Sequence, residues 1–455
     1  SQGLRSYLLQ ERLIRPLDSK NDEGPWAFVH GMLRETLEHR AEEANRLKSH
    51  HMLCATMLRA EGGQLTRLGR HLRAAGELKA ALTPLRRSIE RHLRDGNDSA
   101  AEAGFIEWNE IIEGLVFDPS SKLSLETMLI ESRIIMIRGD IERSLTLARH
   151  VEQAAEASGW RRLSVLALFH QAETALAHGR LMDTLELAGR ADVYLTGETE
   201  SVTRGRAQWI LARARAALGD SEGALEALWA AERSFLERDA IVSAAQCLLA
   251  RGRVMCQLGQ FDEAESLVNQ ARSELRRAGD RTGFAESLTN LGDVARLMGD
   301  EPAAEEYYRV ALERCQHLGS PLVIVAEVKL AALLITRLEL AEAQAHLERI
   351  FPEARKRQNK LVLCSASVIR LNYLGLKGEW TEWDQCFAAI EELLVETGFI
   401  DFDLAESLDR AAIVACEAAQ DSRAKAAWAL ALEQWQSMER LDRAEATEAR
   451  LSQFA

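Results

Sequence analysis

Glycine recurs with a fixed spacing of 40 residues through the middle of this 455-residue chain. About 18 residues with apolar side chains three and four positions apart precede each glycine, and a similar run follows it. That spacing is typical of an amphipathic helix, and glycine supplies the left-handed residue that ends one. The repeated unit is therefore predicted to be a helical hairpin. The series runs through Gly139, Gly179, Gly219, Gly259 and Gly299, has a gap at Glu339, resumes at Gly378 and ends near Ala419.

Aspartate and proline agree with this prediction. Asp140, Asp220 and Asp300 each follow a turn glycine, where an aspartate can cap the next helix. Proline is absent between Pro119 and Pro302, as stacked helices require. A helical bundle without a superhelix is the alternative, but it does not need one register over five consecutive turns. We therefore expect an all-α solenoid.

Small residues recur in the second helix of each hairpin (helix B), where they would let it approach its neighbour closely. They lie five residues after the turn glycine and again seven residues later, as in Ala264 and Ala271. This pattern resembles the tetratricopeptide repeat (TPR), which implies a right-handed α-solenoid. The resemblance covers roughly residues 64–438, and the longer period implies helices nearly one turn longer than in the standard repeat. The match is closest at Leu288, Leu291, Gly292, Ala295, Gly299, Ala304, Tyr308 and Ala311.

The first 62 residues lack the repeat. We expect a short helix from Leu4 to Leu13, then strands at 14–17 and 25–29 around a polar turn, and a helix from near His30. The string from Trp26 to Leu37 is similar to the winged-helix segment of bacterial STAND signalling ATPases, which include MalT-like and kinase-linked regulators. In that class a nucleotide-binding domain precedes the winged helix and a TPR-like arm follows it. The resemblance implies that His30 and Arg34 lie near nucleotide phosphates in the parent protein. Alternatively, His30 only caps or packs a helix end.

Four segments are expected. Residues 1–62 form a winged-helix-like remnant with a connecting helix, and residues 63–120 form divergent first helical repeats. Residues 121–438 form TPR-like repeats, and residues 439–455 form a C-terminal capping helix. The chain begins with Ser1 rather than Met and has no signal-like region, so we expect it to be part of a longer protein.

No motif predicts catalysis. The chain contains no GxxxxGK[ST] loop, no HExxH and no GxSxG, and its 11 histidines show no metal-ligand spacing with cysteine or carboxylates. We expect no metal, no cofactor and no enzymatic activity; any ATPase or kinase activity would belong to domains outside this chain. The net charge of −14 argues against a nucleic-acid partner, and no apolar window is long enough to predict a membrane span. Seven cysteines without a CxxC pair favour a reduced, cytoplasmic protein.

Polar residues recur on the first helix of the hairpins (helix A), whose faces line the concave surface of TPR arrays. One register contains Glu173, Arg213, Arg253 and Asp293, and a second contains Arg206, Gln246 and Glu286. We expect Arg213 and Arg253 to project into one groove and to bind a carboxylate or phosphate, with Trp209 as an apolar anchor. The alternative is a solvated face with internal pairs such as Arg253–Asp293. The candidate binding residues are Arg206, Trp209, Arg213, Gln246, Arg253, Asp293, Arg296 and Asn372.

The function expected from these features is that of a non-enzymatic sensor arm in a larger bacterial regulator. It would bind a protein, peptide or small ligand in its concave groove and bias upstream domains of the parent. A second copy of the chain is a further candidate partner, whereas nucleic acid and membrane are not. The alternatives are a freestanding TPR adaptor and the inducer-binding domain of a MalT-like transcription activator.

Overall fold

The structure, a computed structural model, describes residues 7–11, 13–16, 26–62, 64–94, 97–115, 118, 120–195 and 201–453. The chain forms two compact units. The first comprises residues 1–94 and 99–117, and the second comprises residues 95–98 and 118–455.

The first unit contains a small antiparallel sheet followed by helices. Strands β1 (Ile14–Pro16) and β2 (Trp26–Phe28) lie within the two predicted strands, and they pair with Ile14 opposite Phe28. Residues 7–10 are helical, while residues 4–6 and 12 of the predicted first helix, residues 17 and 25 of the predicted strands and the predicted turn at 18–24 lie outside the described residues. The helices are α1 (Gly31–Glu43), α2 (Leu47–Glu61), α3 (Leu65–Ala74), α4 (Leu78–Arg94) and α5 (Asp98–Gly114).

The second unit is a succession of antiparallel helical hairpins, which confirms the predicted repeat architecture. Each hairpin contributes a helix A and a helix B of 14 to 18 residues. The first four hairpins are α6 (Lys122–Ile137) with α7 (Ile141–Ala157), α8 (Arg161–Ala177) with α9 (Leu181–Tyr194), α10 (Ser201–Ala217) with α11 (Ser221–Leu236), and α12 (Ile241–Gln257) with α13 (Phe261–Ala278). The next four are α14 (Arg281–Leu297) with α15 (Glu301–Leu318), α16 (Val323–Thr336) with α17 (Leu340–Lys356), α18 (Lys360–Lys377) with α19 (Trp380–Thr397), and α20 (Phe402–Glu417) with α21 (Asp421–Ser437). Helix α22 (Leu441–Ser452) follows the last hairpin.

The turns within the hairpins have the predicted conformation. Gly299, for example, has a φ of +87°, and the carboxylate of Asp300 then accepts a hydrogen bond from the Ala303 amide at 3.1 Å. At the gap in the glycine series Leu338 takes the left-handed conformation, with φ +61°, so that Glu339 becomes the N-cap of α17. A non-glycine residue in this conformation is strained, and helix packing on both sides holds it there.

Small residues lie where neighbouring helices approach most closely. Ala264 and Ala304 are completely buried on their helices B. A Cβ atom on Gly292 would overlap the ring of Tyr308, and one on Gly252 would lie 2.7 Å from Val268 Cγ2. The small residues of the repeat pattern therefore set helix–helix distances.

Hydrogen bonds also join early hairpins of the second unit to late ones. They link residues 180 to 219 positions apart, and they involve the turns within early hairpins and the loops that connect late hairpins. We call this set of contacts the seam. Its bonds run from Gln358 Nε2 to Gly139 O (3.0 Å), from His178 Nδ1 to Gln358 O (2.8 Å), from Ile400 N to Ala217 O (2.9 Å) and from Arg440 Nη1 to Gln257 O (3.1 Å). Residues on helices A from both halves of the second unit, from Leu176 on α8 to Phe402 on α20, line a common interior.

Candidate ligand-binding groove

Two adjoining cavities of about 340 and 350 Å³ lie among the helices A of the second unit. Both are lined by Arg253, Asn290, Asp293, Val325, Val362 and Asp403, so we treat them as one groove. Among the predicted site residues, Arg253 and Asp293 line both cavities. Arg213 lines the second cavity, whereas Arg296 and Asn372 line the first. Arg206, Trp209 and Gln246 line neither.

Ion pairs link consecutive helices A in a regular ladder. Arg206 on α10 donates to Glu173 on α8, with Nη2 2.6 Å from Oε1. Arg253 on α12 lies 3.4 Å from Glu286 on α14, measured between Nη1 and Oε1. Each pair joins residues 33 positions apart, so one member comes from each of the two registers seen in the sequence. The alternative of a face with internal ion pairs therefore holds for Arg206 and Arg253, although the partner of Arg253 is Glu286 rather than Asp293.

We call each such pair of positions, 33 residues apart on consecutive helices A, a rung of the ladder. The rung between these two pairs lacks an anion. Arg213 stands at the position of Glu173 and Arg253, and the residue 33 positions later is Gln246, which carries no charge. The Arg213 guanidinium lies 4.7 Å from the centre of the Trp209 ring. Among the residues that the structure describes, no carboxylate lies within ion-pairing distance of Arg213 and no acceptor takes a hydrogen bond from it. Desolvation in the concave interior and the nearby charge of Arg253 lower the pKa of Arg213.

Trp209 lies beneath Arg213 rather than open to the groove. Its ring packs against two core clusters, one of them around Phe169 and Ile210 and the other around Leu228. Its Nε1 is buried without a hydrogen-bond partner in the described structure. The indole therefore supports the guanidinium of Arg213 through a cation–π contact instead of lining the cavity.

The two other charged residues of the prediction belong to an internal network. Asp293 accepts a hydrogen bond from Tyr308 Oη at 2.7 Å and lies 3.0 Å from Lys329 Nζ. Lys329 also pairs with Asp403 on α20, and so does Arg296. The chain thus neutralises both Asp293 and Arg296 internally.

This network crosses the groove. Arg296 on α14 contacts Asp403 and also Glu406, at 2.5 Å, over sequence separations of 107 and 110 residues. Burial alone would raise the pKa of Asp403, but Arg296 and Lys329 hold it well below its usual range. We call Asp293, Arg296, Tyr308, Lys329, Asp403 and Glu406 the central network.

Two asparagine amides line the groove. Asn372 Nδ2 donates to the carbonyl oxygens of Val368, at 3.0 Å, and Ser407, at 2.8 Å. Its Oδ1 is buried and has no partner in the described structure. Asn290 Nδ2 reaches Leu249 O at 3.4 Å. Asn290 uses only one of its two N–H groups, so its amide can still donate to and accept from the backbone of an extended peptide, whereas both N–H groups of Asn372 are already donated.

The structure adds groove residues that the sequence analysis missed. They are Lys329, Asp401, Asp403, Glu406 and Arg410. Arg410 lines the first cavity, and burial lowers its pKa. None of these residues shares the 40-residue register of Arg213 and Arg253.

His30 and Arg34 lie in the first unit. His30 is the N-cap residue of α1, but its side chain makes no capping hydrogen bond. Arg34 lies 3.7 Å from Glu38 on the exposed side of the same helix. The described structure brings no further charged group to these two residues.

The described residues offer little for metal or thiolate chemistry. Within them, no three His, Cys, Asp or Glu side chains are arranged to hold a metal ion. Cys256 lines the second cavity, but burial raises the pKa of its thiol to about 12, so it stays protonated. None of the described helices combines the length and apolarity needed to cross a membrane.

Comparisons with known proteins agree with the fold. The family model of the tetratricopeptide repeat matches residues 243–317. A Rap protein complexed with the competence and sporulation factor is 14% identical, with a TM-score of 0.59 over 82% of this chain and 98% of that chain. The Rap conjugation regulator of plasmid pLS20, in complex with the Phr* peptide, is 14% identical, with a TM-score of 0.56 over 80% of this chain and 97% of that chain.

A third similar structure is NprR in complex with its cognate peptide NprX. It is 14% identical, with a TM-score of 0.53 over 77% of this chain and 97% of that chain. No curated protein matches the sequence. The chain has an all-α, TPR-like solenoid fold, similar to the folds of Rap and NprR.

Proposed function

We propose that this chain is a non-enzymatic regulatory module that binds an extended peptide or protein segment in the groove. The observation that carries the proposal is the groove itself, in which charged side chains and two asparagine amides lie beside apolar residues such as Val325 and Val362. Each cavity has the volume of an ordinary ligand pocket. Three proteins of similar fold have structures in complex with a factor or a peptide, which supports this ligand class.

The proposal extends to the parent protein. In it the module is the sensor arm of a STAND-type or kinase-linked regulator, and His30 and Arg34 lie near its nucleotide site. The strand pair β1–β2 and helix α1, which precede the repeats, support this arrangement. A full-length sequence without a nucleotide-binding loop upstream of Ser1 would contradict it and favour an adaptor.

Peptide binding can be tested with a library of random octapeptides. The full chain is immobilised, and the enriched peptides are identified by mass spectrometry. Val362→Trp narrows the groove where the two cavities adjoin, because Val362 lines each of them. The matched control is Val395→Trp, since Val395 is 88% exposed.

We expect the wild-type chain and the control to enrich the same peptides, and Val362→Trp to lose them. Circular dichroism checks that both variants keep their helices. Equal enrichment by Val362→Trp would place the peptides outside the groove, and no enrichment by the wild-type chain would contradict peptide binding itself.

A further inference from the structure

We infer that Arg213 binds a carboxylate group of the ligand, which completes the open rung of the ladder. This inference rests on the proposed function, because the carboxylate belongs to the peptide in the groove. The neighbouring rungs each contain one cation and one anion, Arg206 with Glu173 and Arg253 with Glu286. The middle rung contains Arg213 and the neutral Gln246.

The open rung leaves the Arg213 guanidinium available to an anion from outside the chain. A guanidinium has five N–H donors and stays charged, so it is stable in a concave interior only when water or an anion satisfies those donors. Arg213 remains accessible to solvent in the second cavity, and none of its donors meets a protein acceptor in the described structure. A ligand carboxylate can accept two of these hydrogen bonds at once.

Arg253 provides a second cation to the same cavity. It lines the cavity together with Arg213, it is 46% exposed, and its 3.4 Å bond to Glu286 is long. Desolvation and then the charge of Arg253 lower the pKa of Arg213, and an anion bound near both side chains would offset the repulsion between them. The Trp209 ring under Arg213 holds the guanidinium in place for such a ligand.

The two cations of the central network do not offer an equivalent site. Arg296 and Lys329 are neutralised by Asp403 and its neighbours in the central network. A carboxylate entering there would displace an internal partner, whereas at Arg213 it would displace only water. The ligand chemistry that fits is therefore a carboxylate, either from an acidic side chain or from the free C-terminus of the peptide.

Two variants remove the site in opposite ways. Arg213→Gln removes the cation. Gln246→Glu instead places a carboxylate where Glu286 stands in the next rung, so that Arg213 becomes internally paired. Gln270→Glu is the matched control, because Gln270 is exposed on α13 and the charge change is the same.

The probes are two pools of random octapeptides, one with free C-terminal carboxylates and one with C-terminal amides. Two quantities are scored with the full chain: the yield of bound peptide from the free-acid pool relative to the amide pool, and the enrichment of Asp and Glu over Asn and Gln within each pool. We expect the wild-type chain and Gln270→Glu to prefer a carboxylate about tenfold, the effect of one charge-assisted hydrogen bond. A higher yield from the free-acid pool without enrichment of Asp or Glu identifies the C-terminus as the source, and enrichment of Asp or Glu in both pools identifies a side chain.

Arg213→Gln and Gln246→Glu should both lose this preference while still enriching peptides through apolar positions. Peptide enrichment by the wild-type chain without any carboxylate preference would overturn the inference and leave the proposed function intact. A preference that survives in both variants would also overturn it. No enrichment from either pool would contradict the proposed function instead.

Discussion

Arg206 on α10 donates two hydrogen bonds to Glu173 on α8, at 2.6 and 3.0 Å, across the boundary between two repeats. The pair of Arg253 and Glu286 repeats this relationship two helices A further along, with the signs of the two charges exchanged. The geometry of the solenoid thus brings the two positions together whichever residue carries the positive charge. This relationship identifies position 246, now a glutamine, as the place where a carboxylate would pair with Arg213.

Gln246→Glu is expected to stabilise the unliganded chain. The new carboxylate should pair with Arg213 and raise the free energy of unfolding by about 0.5 kcal/mol at pH 7. Pairing lowers the pKa of the new carboxyl in the folded state, so the gain is present above the ordinary pKa of glutamate and disappears as the pH falls through the lowered value. Urea denaturation at pH 7 and pH 3 measures both effects. An equal gain in Gln270→Glu would show that pairing with Arg213 is not its cause.

The seam can be tested with two matched glycine substitutions. Gly219→Ala and Gly299→Ala both place an alanine at a positive φ, +83° and +87°, which costs about 1–2 kcal/mol in each case. Only at Gly219 would the new Cβ also meet the seam, 2.9 Å from Ser437 O. We expect Gly219→Ala to be the more destabilising in thermal denaturation. Equal melting temperatures would contradict the contact between Gly219 and Ser437.

Alanine substitution at two glycines inside helices should change the free energy of unfolding in opposite directions. Gly292 packs against Tyr308, so Gly292→Ala forces the helices apart and should cost about 1–3 kcal/mol. Gly189 on α9 has no atom within 4 Å of where a Cβ would lie, so Gly189→Ala should stabilise by up to about 1 kcal/mol through helix propensity. Chemical denaturation measures both. Destabilisation by Gly189→Ala would be inconsistent with the open surroundings of that residue.

Removal of the charge should stabilise the folded chain at Asp401 and destabilise it at Asp403. Burial and then the charge of Asp403 raise the pKa of Asp401 to about 6. Its ionisation therefore lowers stability as the pH rises from about 4 to 6, because the unfolded chain releases the proton first. Asp401→Asn keeps a residue that can cap the Leu404 amide, so it should stabilise at pH 7.5 and have no effect at pH 3.

Asp403→Asn should instead destabilise at pH 7.5, on the order of 3 kcal/mol, because it leaves Arg296 and Lys329 without their shared carboxylate. Differential scanning calorimetry at the two pH values compares the variants. Stabilisation by both substitutions would contradict the central network.

The repeat period explains why so much of the fold was predictable. The 40-residue spacing determines where each helix ends. At Glu339, where the series lacks a glycine, the left-handed residue is Leu338, one position earlier. Within one register, neighbouring repeats place Arg213 and Arg253 in one cavity, as the sequence predicted. Local spacing carries this information because each repeat contacts its neighbours.

The partners of Arg296 were not predictable in this way. Asp403 and Glu406 lie more than 100 residues later and reach α14 only because late hairpins return to early ones at the seam. No 40-residue pattern encodes that closure. Trp209 was expected as an anchor for the ligand, but helix spacing alone could not distinguish a ring facing the cavity from one packed beneath Arg213.

The most direct test of peptide binding in the groove is photo-crosslinking. Octapeptides from the enriched pool carry a benzophenone side chain, are irradiated with the full chain, and their attachment sites are mapped by mass spectrometry. We expect adducts on groove residues such as Val325, Val362 and Phe399, and their loss when unlabelled peptide competes. Adducts confined to the exposed faces of helices B or to the first unit would contradict the proposal that the groove is the peptide site.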